Sequence, residues 1–250
     1  MICRMQSGMR VLVASPLGHM VEPTLAERIP KSAITVAVDR FSVQQAVTST
    51  YRFDVVIVDL VWNHPELEFC FDGLDVVDML VRAERLAPVL LATQGHSMER
   101  DLVDEARLRP EVAGVFAKSS GVPALLDVIS AVAIGRRLPD ATPPDGPPPL
   151  YELFDSQRGA TAARLAGAIA AGRATDALSL ARAAQVGTNT ANKVTSTYIG
   201  PIIKQRNEHD PTLPLTLGSV YRWCGLHARY LVSWCRRNGH SDVLRPEHFS

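Results

Sequence analysis

Eleven residues in the middle of this 250-residue chain, Pro139 to Pro149, read PDATPPDGPPP, with six prolines and one glycine. Proline has no amide donor and restricts the residue before it, so neither a helix nor an internal strand can run through this segment. It is expected to be an extended, semi-rigid spacer. The chain must then fold as two bodies: residues 9–138, a linker over 139–150, and residues 151–250. Two ordinary domains fit that length.

Before the spacer, short β-branched runs alternate with longer amphipathic segments. The runs are Val11–Ala14, Ile34–Val38, Val55–Val58, Val89–Ala92 and Gly114–Ala117. Runs this short and apolar suit strands covered on both faces. Between them, helical patterns fall near Val21–Arg28, Val43–Ser49, Leu74–Arg85, Met98–Leu108 and Pro123–Ile134. Five strands alternating with five helices predict an α/β, doubly wound parallel sheet of flavodoxin-like order 2-1-3-4-5. No G-x-G-x-x-G follows the first strand, which excludes the usual dinucleotide fingerprint.

After the spacer the β-branched runs vanish and the pattern becomes helical. Segments are predicted near Gln157–Ala171, Asp176–Gln185, Thr190–Ile199 and Leu217–Arg237, an all-α second domain. Cys224 and Cys235, eleven residues apart, are expected on one helix and out of reach of each other. With Cys3 and Cys70 they form no C-x-x-C and no zinc spacing, so free, mainly structural thiols are expected.

A net charge of zero hides a division. Residues 1–140 carry 14 Lys/Arg against 18 Asp/Glu, and residues 141–250 carry 12 against 8. Within 158–237 the count is 11 against 3. A basic body beside an acidic one suggests that only the second meets a polyanion. No apolar run approaches the ~20 residues of a bilayer span, and Val11–Ala14 is too short for a signal-peptide core, so a cytoplasmic protein with no membrane partner is expected.

In open α/β sheets ligands sit beyond the carboxyl ends of the strands. Ser15-Pro16, Asp59, Thr93 and Lys118 end the first, third, fourth and fifth runs. A carboxylate, hydroxyls and an ammonium on one edge could hold a phosphoryl group. The runs DVVIVDL (Asp54–Leu60), DGLDVVDML (Asp72–Leu80), APVLLAT (Ala87–Thr93), GVFAKSSG (Gly114–Gly121) and ISAVAIGRRL (Ile129–Leu138) resemble the receiver domain of bacterial two-component response regulators. Within that family they are similar to those of the LuxR/NarL type, and the resemblance covers residues 9–138. It implies Asp59 at the phosphoacceptor position, with Thr93 and Lys118 as the pocket hydroxyl and lysine.

Three departures mark the receiver as atypical. Ser15 and Pro16 stand where such receivers carry the acidic pair that holds a divalent metal, and Mg²⁺ held by one aspartate alone would bind weakly. The loop after Asp59, VWNHPELEFCF, is longer than the family's. Val115 occupies the aromatic switch position, with Phe116 displaced by one. No cofactor is therefore expected. Glu66 or Glu68 could reach the pocket from the long loop, whereas Asp59 fixed on Lys118 as a structural bridge is the better-supported alternative. Control by a histidine kinase or by an unknown small ligand both remain open. The histidines His19, His64 and His96 are too scattered along the chain to argue a metal site.

In the second body, TDALSLARAAQVGTNTANKVTSTYI (Thr175–Ile199) has the arrangement of a helix-turn-helix and resembles the LuxR-type output domain. A first helix, Asp176–Gln185, would carry Leu178, Ala181 and Ala184 on one face. Gly187 would make a left-handed turn, and Thr188 or Asn189 would cap a second helix. That helix would present Thr190, Asn192, Lys193, Thr195, Ser196 and Thr197 outward, with Lys204 and Arg206 following as phosphate contacts. Val194 and Ile199 would face inward, and Gly200-Pro201 would end the helix. In LGSVYRWCGLHARYLVSWCRRNG (Leu217–Gly239), the aromatics are expected in the core, with Gly239 as the C-terminal cap. The expected function is transcriptional regulation by a dimer on double-stranded DNA, without enzymatic activity beyond self-modification at Asp59. The alternative is an adaptor whose helical half binds a signalling protein.

Overall fold

The computed structural model describes residues 8–49, 52–63, 69–139 and 146–244. The chain forms two compact units, Met1–Ala141 and Thr142–Ser250.

The first unit alternates strand and helix: β1 (Arg10–Ala14), α1 (Gly18–Arg28), β2 (Ala33–Ala37), α2 (Arg40–Thr48), β3 (Val55–Asp59), α3 (Gly73–Arg82), β4 (Val89–Thr93), α4 (Arg100–Leu108), β5 (Val112–Ala117) and α5 (Gly121–Ala133). All pairings are parallel and the strand order is β2-β1-β3-β4-β5. This is the doubly wound order expected of the sequence. Every residue of β3 and β4 is buried, as their unbroken apolar runs demand, while β2 at the edge alternates between exposed and half-buried up to Val36 and is buried at Ala37. Val11, Val13, Ile57, Leu90, Leu125 and Ile129 belong to one core. Because β1 lies between β2 and β3, the order reverses beside its carboxyl end. That reversal makes the crevice where such sheets bind ligands.

The long loop after β3 is closed at its base. Val61 and Asp72 form an antiparallel bridge, and Trp62 meets Phe71 edge-on with centroids 4.8 Å apart. Asp72 caps α3 by accepting from the Leu74 and Asp75 amides. Gly73 packs so tightly that a Cβ there would lie 2.8 Å from the Asp59 carbonyl oxygen. The Asp-Gly pair thus pins the start of α3 against the end of β3. Glu66 and Glu68 lie outside the described residues, as does His64.

The second unit contains α6 (Leu150–Phe154), α7 (Gln157–Ala170), α8 (Ala177–Ala183), α9 (Thr188–Asn192), a π-helical turn (Val194–Tyr198), α10 (Ile199–Gln205), α11 (Leu217–Leu226) and α12 (Ala228–Arg237). Helix α7 is central, buried from Ala162 through Ile169 except for Arg164, and packs on α6, α8, α11 and α12. Its alanines and glycines permit that close approach on several sides. Trp223, Tyr230 and Trp234 are core residues, and Phe154 meets Trp234 edge-on at 5.2 Å. Gly239 has φ 77°, the left-handed cap expected of it.

Four local expectations are corrected. Leu178 is 53% exposed; Leu180 and Ala183 join Ala181 and Ala184 in the interior instead. The left-handed residue after α8 is Gln185 (φ 53°), whereas Gly187 is extended and precedes α9 without a side-chain cap. A single residue, His227, divides the last helical segment, so Cys224 and Cys235 lie on different helices. Both thiols are buried, which pushes both pKa values up, that of Cys235 to about 12.

The fourth correction concerns Gly200-Pro201, which does not end the helix. The Ile199 amide bonds back five residues to the Val194 carbonyl, widening one turn, and α10 continues to Gln205. Such π turns are a recognised way to accommodate disruption inside a helix. Gly200 is required by it, since a Cβ would fall 1.7 Å from the Thr195 carbonyl oxygen. The buried stripe shows the same insertion: Ala191, Val194, Ile199, Ile202 and Ile203 contain one step of five where an α-helix needs three or four. Among the described residues, no helix is long and apolar enough to cross a membrane.

Candidate functional site

Asp59 is the last residue of β3, at the reversal in strand order, and is 7% exposed. Ser15 follows β1, and its hydroxyl donates to Asp59 Oδ2 at 2.7 Å. Lys118 follows β5, and its Nζ lies 2.7 Å from Asp59 Oδ1. Each carboxylate oxygen therefore has its own partner, one neutral and one cationic. Ser15 also accepts from the Leu17 amide, which orients its hydroxyl proton towards the aspartate.

Thr93, at the end of β4, does not join this group through its hydroxyl. Its Oγ1 donates to Glu99 Oε2 at 2.5 Å. Glu99 ends a 3-10 turn, Ser97–Glu99, and is itself buried. The amides of Gln94, Gly95 and His96 also donate to its carboxylate. The edge thus carries two separate clusters, Ser15–Asp59–Lys118 and Thr93–Glu99. Sequence reasoning missed Glu99. Its signal was present as a glutamate three residues after His96 at a helix start, the position from which a side chain reaches back to a cap amide.

The residues that meet here do not suit a divalent cation. Mg²⁺ takes several hard oxygen ligands in octahedral geometry. Among the described residues Asp59 is the one carboxylate of its cluster, and each of its oxygens already has a partner. Among the described residues, no group of three His, Cys, Asp or Glu side chains could hold a metal.

In the second unit, α8, the turn through Val186 and α9 form a helix-turn-helix, and the second helix continues through the π turn into α10. Asn192, Lys193 and Ser196 are exposed on it, Thr190 and Thr195 are half-exposed, and Lys204 is exposed further along. Asn189, expected only as a cap, is also exposed on the first turn. The wide turn matters for this face. Inserting one residue between Ser196 and Pro201 returns Pro201 and Lys204 to the outward side while Ile199, Ile202 and Ile203 stay inside.

Arg206 is the exception among the expected contacts, and the structure corrects it. The residue is 2% exposed, donates to the Pro148 carbonyl oxygen at 2.8 Å and holds Glu208 through two bonds of 2.9 and 3.0 Å. Trp223 Nε1 donates to the same carboxylate at 2.7 Å, and His227 Nε2 lies 3.3 Å from it. Burial alone would raise the Glu208 pKa, but the bonds from His227, Arg206 and Trp223 outweigh it and hold the carboxyl well below its usual range. Arg206 thus ties the end of α10 to α11 and to the residues before α6, and offers no guanidinium to a phosphate.

These features define a class: a receiver-like α/β unit with an Asp–Lys pair at its carboxyl edge, followed by a helical unit containing a helix-turn-helix. No family model matches the chain, and no curated protein matches it. Solved structures do. The chain is similar to RcsB from Salmonella enterica serovar Typhimurium bound to promoter P1flhDC in the presence of phosphomimetic BeF₃⁻, with 15% identity over 88% of this chain and 98% of that one (TM-score 0.49). It is also similar to RcsB in a structure of two dimers bound to two parallel DNAs, with 17% identity over 85% and 99% (TM-score 0.48). A LuxR-family two-component response regulator from Aurantimonas sp. SI85-9A1 is 21% identical over 52% of this chain and 89% of its own (TM-score 0.42).

Proposed function

We infer that the protein is a DNA-binding transcriptional regulator of the response-regulator type, acting as a homodimer, and that its receiver-like unit works without conventional phosphorylation of Asp59. The observation that carries this reading is the outward face of the second helix of the helix-turn-helix. Asn189, Asn192, Lys193, Ser196 and Lys204 leave short amide and hydroxyl groups and two lysines open to solvent on one continuous helix. Asparagine can pair bidentately with adenine in the major groove, and lysines neutralise phosphates. Two such helices, one per protomer, would read half-sites about one helical turn apart. The state of Asp59 supports the second part. Phosphoryl transfer to a carboxylate draws on a divalent metal to neutralise the phosphate, and among the described residues no second carboxylate joins Asp59, whose two oxygens are already bonded to Ser15 and Lys118.

Selection of genomic DNA fragments by the purified full-length protein tests the reading. Wild type should enrich a motif of two related half-sites, and a Lys193→Ala, Lys204→Ala variant should retain far less DNA at the same salt concentration. Failure of wild type to retain any fragment across a salt series would end the DNA-binding reading in favour of a protein-binding adaptor.

A further inference from the structure

We propose that Glu99 is a resident latch that fixes the connection between β4 and α4 and separates it from any chemistry at Asp59. This rests on the reading of the sheet edge as a regulatory pocket. The carboxylate is 3% exposed, and four donors converge on it. Oε2 accepts from Thr93 Oγ1 at 2.5 Å, from the Gly95 amide at 2.8 Å and from the His96 amide at 3.0 Å, and Oε1 accepts from the Gln94 amide at 3.2 Å. The Gly95 amide also donates to Thr93 Oγ1 at 2.9 Å, closing the ring.

An ordinary capping glutamate reaches back to one amide, here that of His96. Glu99 goes further. It gathers three successive amides and the hydroxyl at the end of the strand, an arrangement that suits an anion. The anion is supplied by the chain itself. Thr93 has one hydroxyl proton, and Glu99 holds it, so that hydroxyl cannot donate to a group on Asp59 while the latch is closed. Opening it would strip a buried carboxylate of four donors, a costly step in a low-dielectric site. Asp59 meanwhile takes its own donors from Ser15 and Lys118, with no residue shared between the two clusters. A signal reaching α4 must therefore enter by another route.

Hydrogen exchange on the full chain, followed by mass spectrometry at peptide resolution, tests the latch. In wild type the amides of Gln94, Gly95 and His96 should be protected. Glu99→Gln keeps the size but removes the charge, and should speed their exchange about tenfold or more. Peptides from β1 and β3 should be unchanged. Thr93→Val, which removes only the hydroxyl, should speed exchange at Gly95 and keeps the test decisive if the Glu99 variant misfolds. Equal exchange of these amides in wild type and in folded variants overturns the proposal.

A second arm adds acetyl phosphate and Mg²⁺ to wild type and reads intact mass. Unchanged protection at residues 94–96 supports the latch, with or without a phosphoryl gain. A gain on Asp59 with protection kept would end the phosphorylation-free reading yet leave the latch standing. A gain with protection lost overturns the latch.

Discussion

The sheet edge of the first unit and the second-helix face of the second unit are built from similar side chains and do opposite things with them. At the edge, Asp59, Thr93 and Glu99 are buried and their side-chain bonds close on other residues of the chain. On the helix face, Asn192, Lys193 and Lys204 are exposed, and their side chains make no hydrogen bond or ion pair to any described residue. A closed polar cluster fixes a conformation, because breaking it strands a desolvated group. An open one costs little to leave in water and is free to meet a partner. Residue type alone therefore does not mark function; whether the group's bonds close within the chain does.

This contrast can be broken first where it predicts the largest effect. Arg206 and Glu208 form a closed cluster on the inner side of the helix that bears the open face. Replacing Glu208 by alanine takes the carboxylate away from the buried Arg206 guanidinium, and should destabilise the second unit by about 3 kcal/mol in urea unfolding. A loss under 1 kcal/mol would show that the cluster yields to water after all. Next comes Gly200→Ala, whose Cβ has no room beside Thr195. Removing the π turn, or straining it, should cost about 1–3 kcal/mol, read as a shift in the urea midpoint.

Acid sharpens the same point. The Glu208 pKa is depressed from its ordinary value of 4.5, so its stabilisation is complete above that value and is lost as pH falls through the lower, folded value. Thermal denaturation should show stability falling below about pH 4.5, a limb that Glu208→Gln should flatten. His240 is held below 6.5 by burial and by Arg164, against the opposing pull of Asp242. Its contribution is present above 6.5 and declines on acidification, which should appear as an earlier, shallower slope. The smallest effect on stability belongs to the open face. Lys193→Ala with Lys204→Ala should change unfolding by no more than about 0.5 kcal/mol, yet flatten the salt dependence of DNA binding by about four in log–log slope, two phosphate contacts being lost in each protomer.

The sequence made the α/β sheet legible because its central strands are buried on both faces, which leaves short, uninterrupted β-branched runs. The ends of those strands put Ser15, Asp59, Thr93 and Lys118 on one edge, but not which group each would choose. Thr93 turns to Glu99 because a buried carboxylate six residues on outcompetes a neighbour across the sheet, and nothing in strand periodicity reports that. The second unit was harder to read. Gly200-Pro201 looks like a stop, and only the five-residue step from Val194 to Ile199 hints at a π turn that carries the helix past it. Arg206 looked like a surface cation because arginine usually is one. Its burial follows from Glu208 two residues later together with Trp223 and His227, which only the packing of α11 brings near.

Under the proposed function the helix face acts on DNA while the edge stays closed to phosphoryl chemistry. The most direct measurement is the affinity of the full-length protein for a selected fragment, with and without acetyl phosphate and Mg²⁺, for wild type and Asp59→Asn. Binding should be tight and salt-sensitive and should change less than about twofold across all four conditions, an energy under RT. A rise of about tenfold on adding acetyl phosphate, present in wild type and absent in Asp59→Asn, would contradict it.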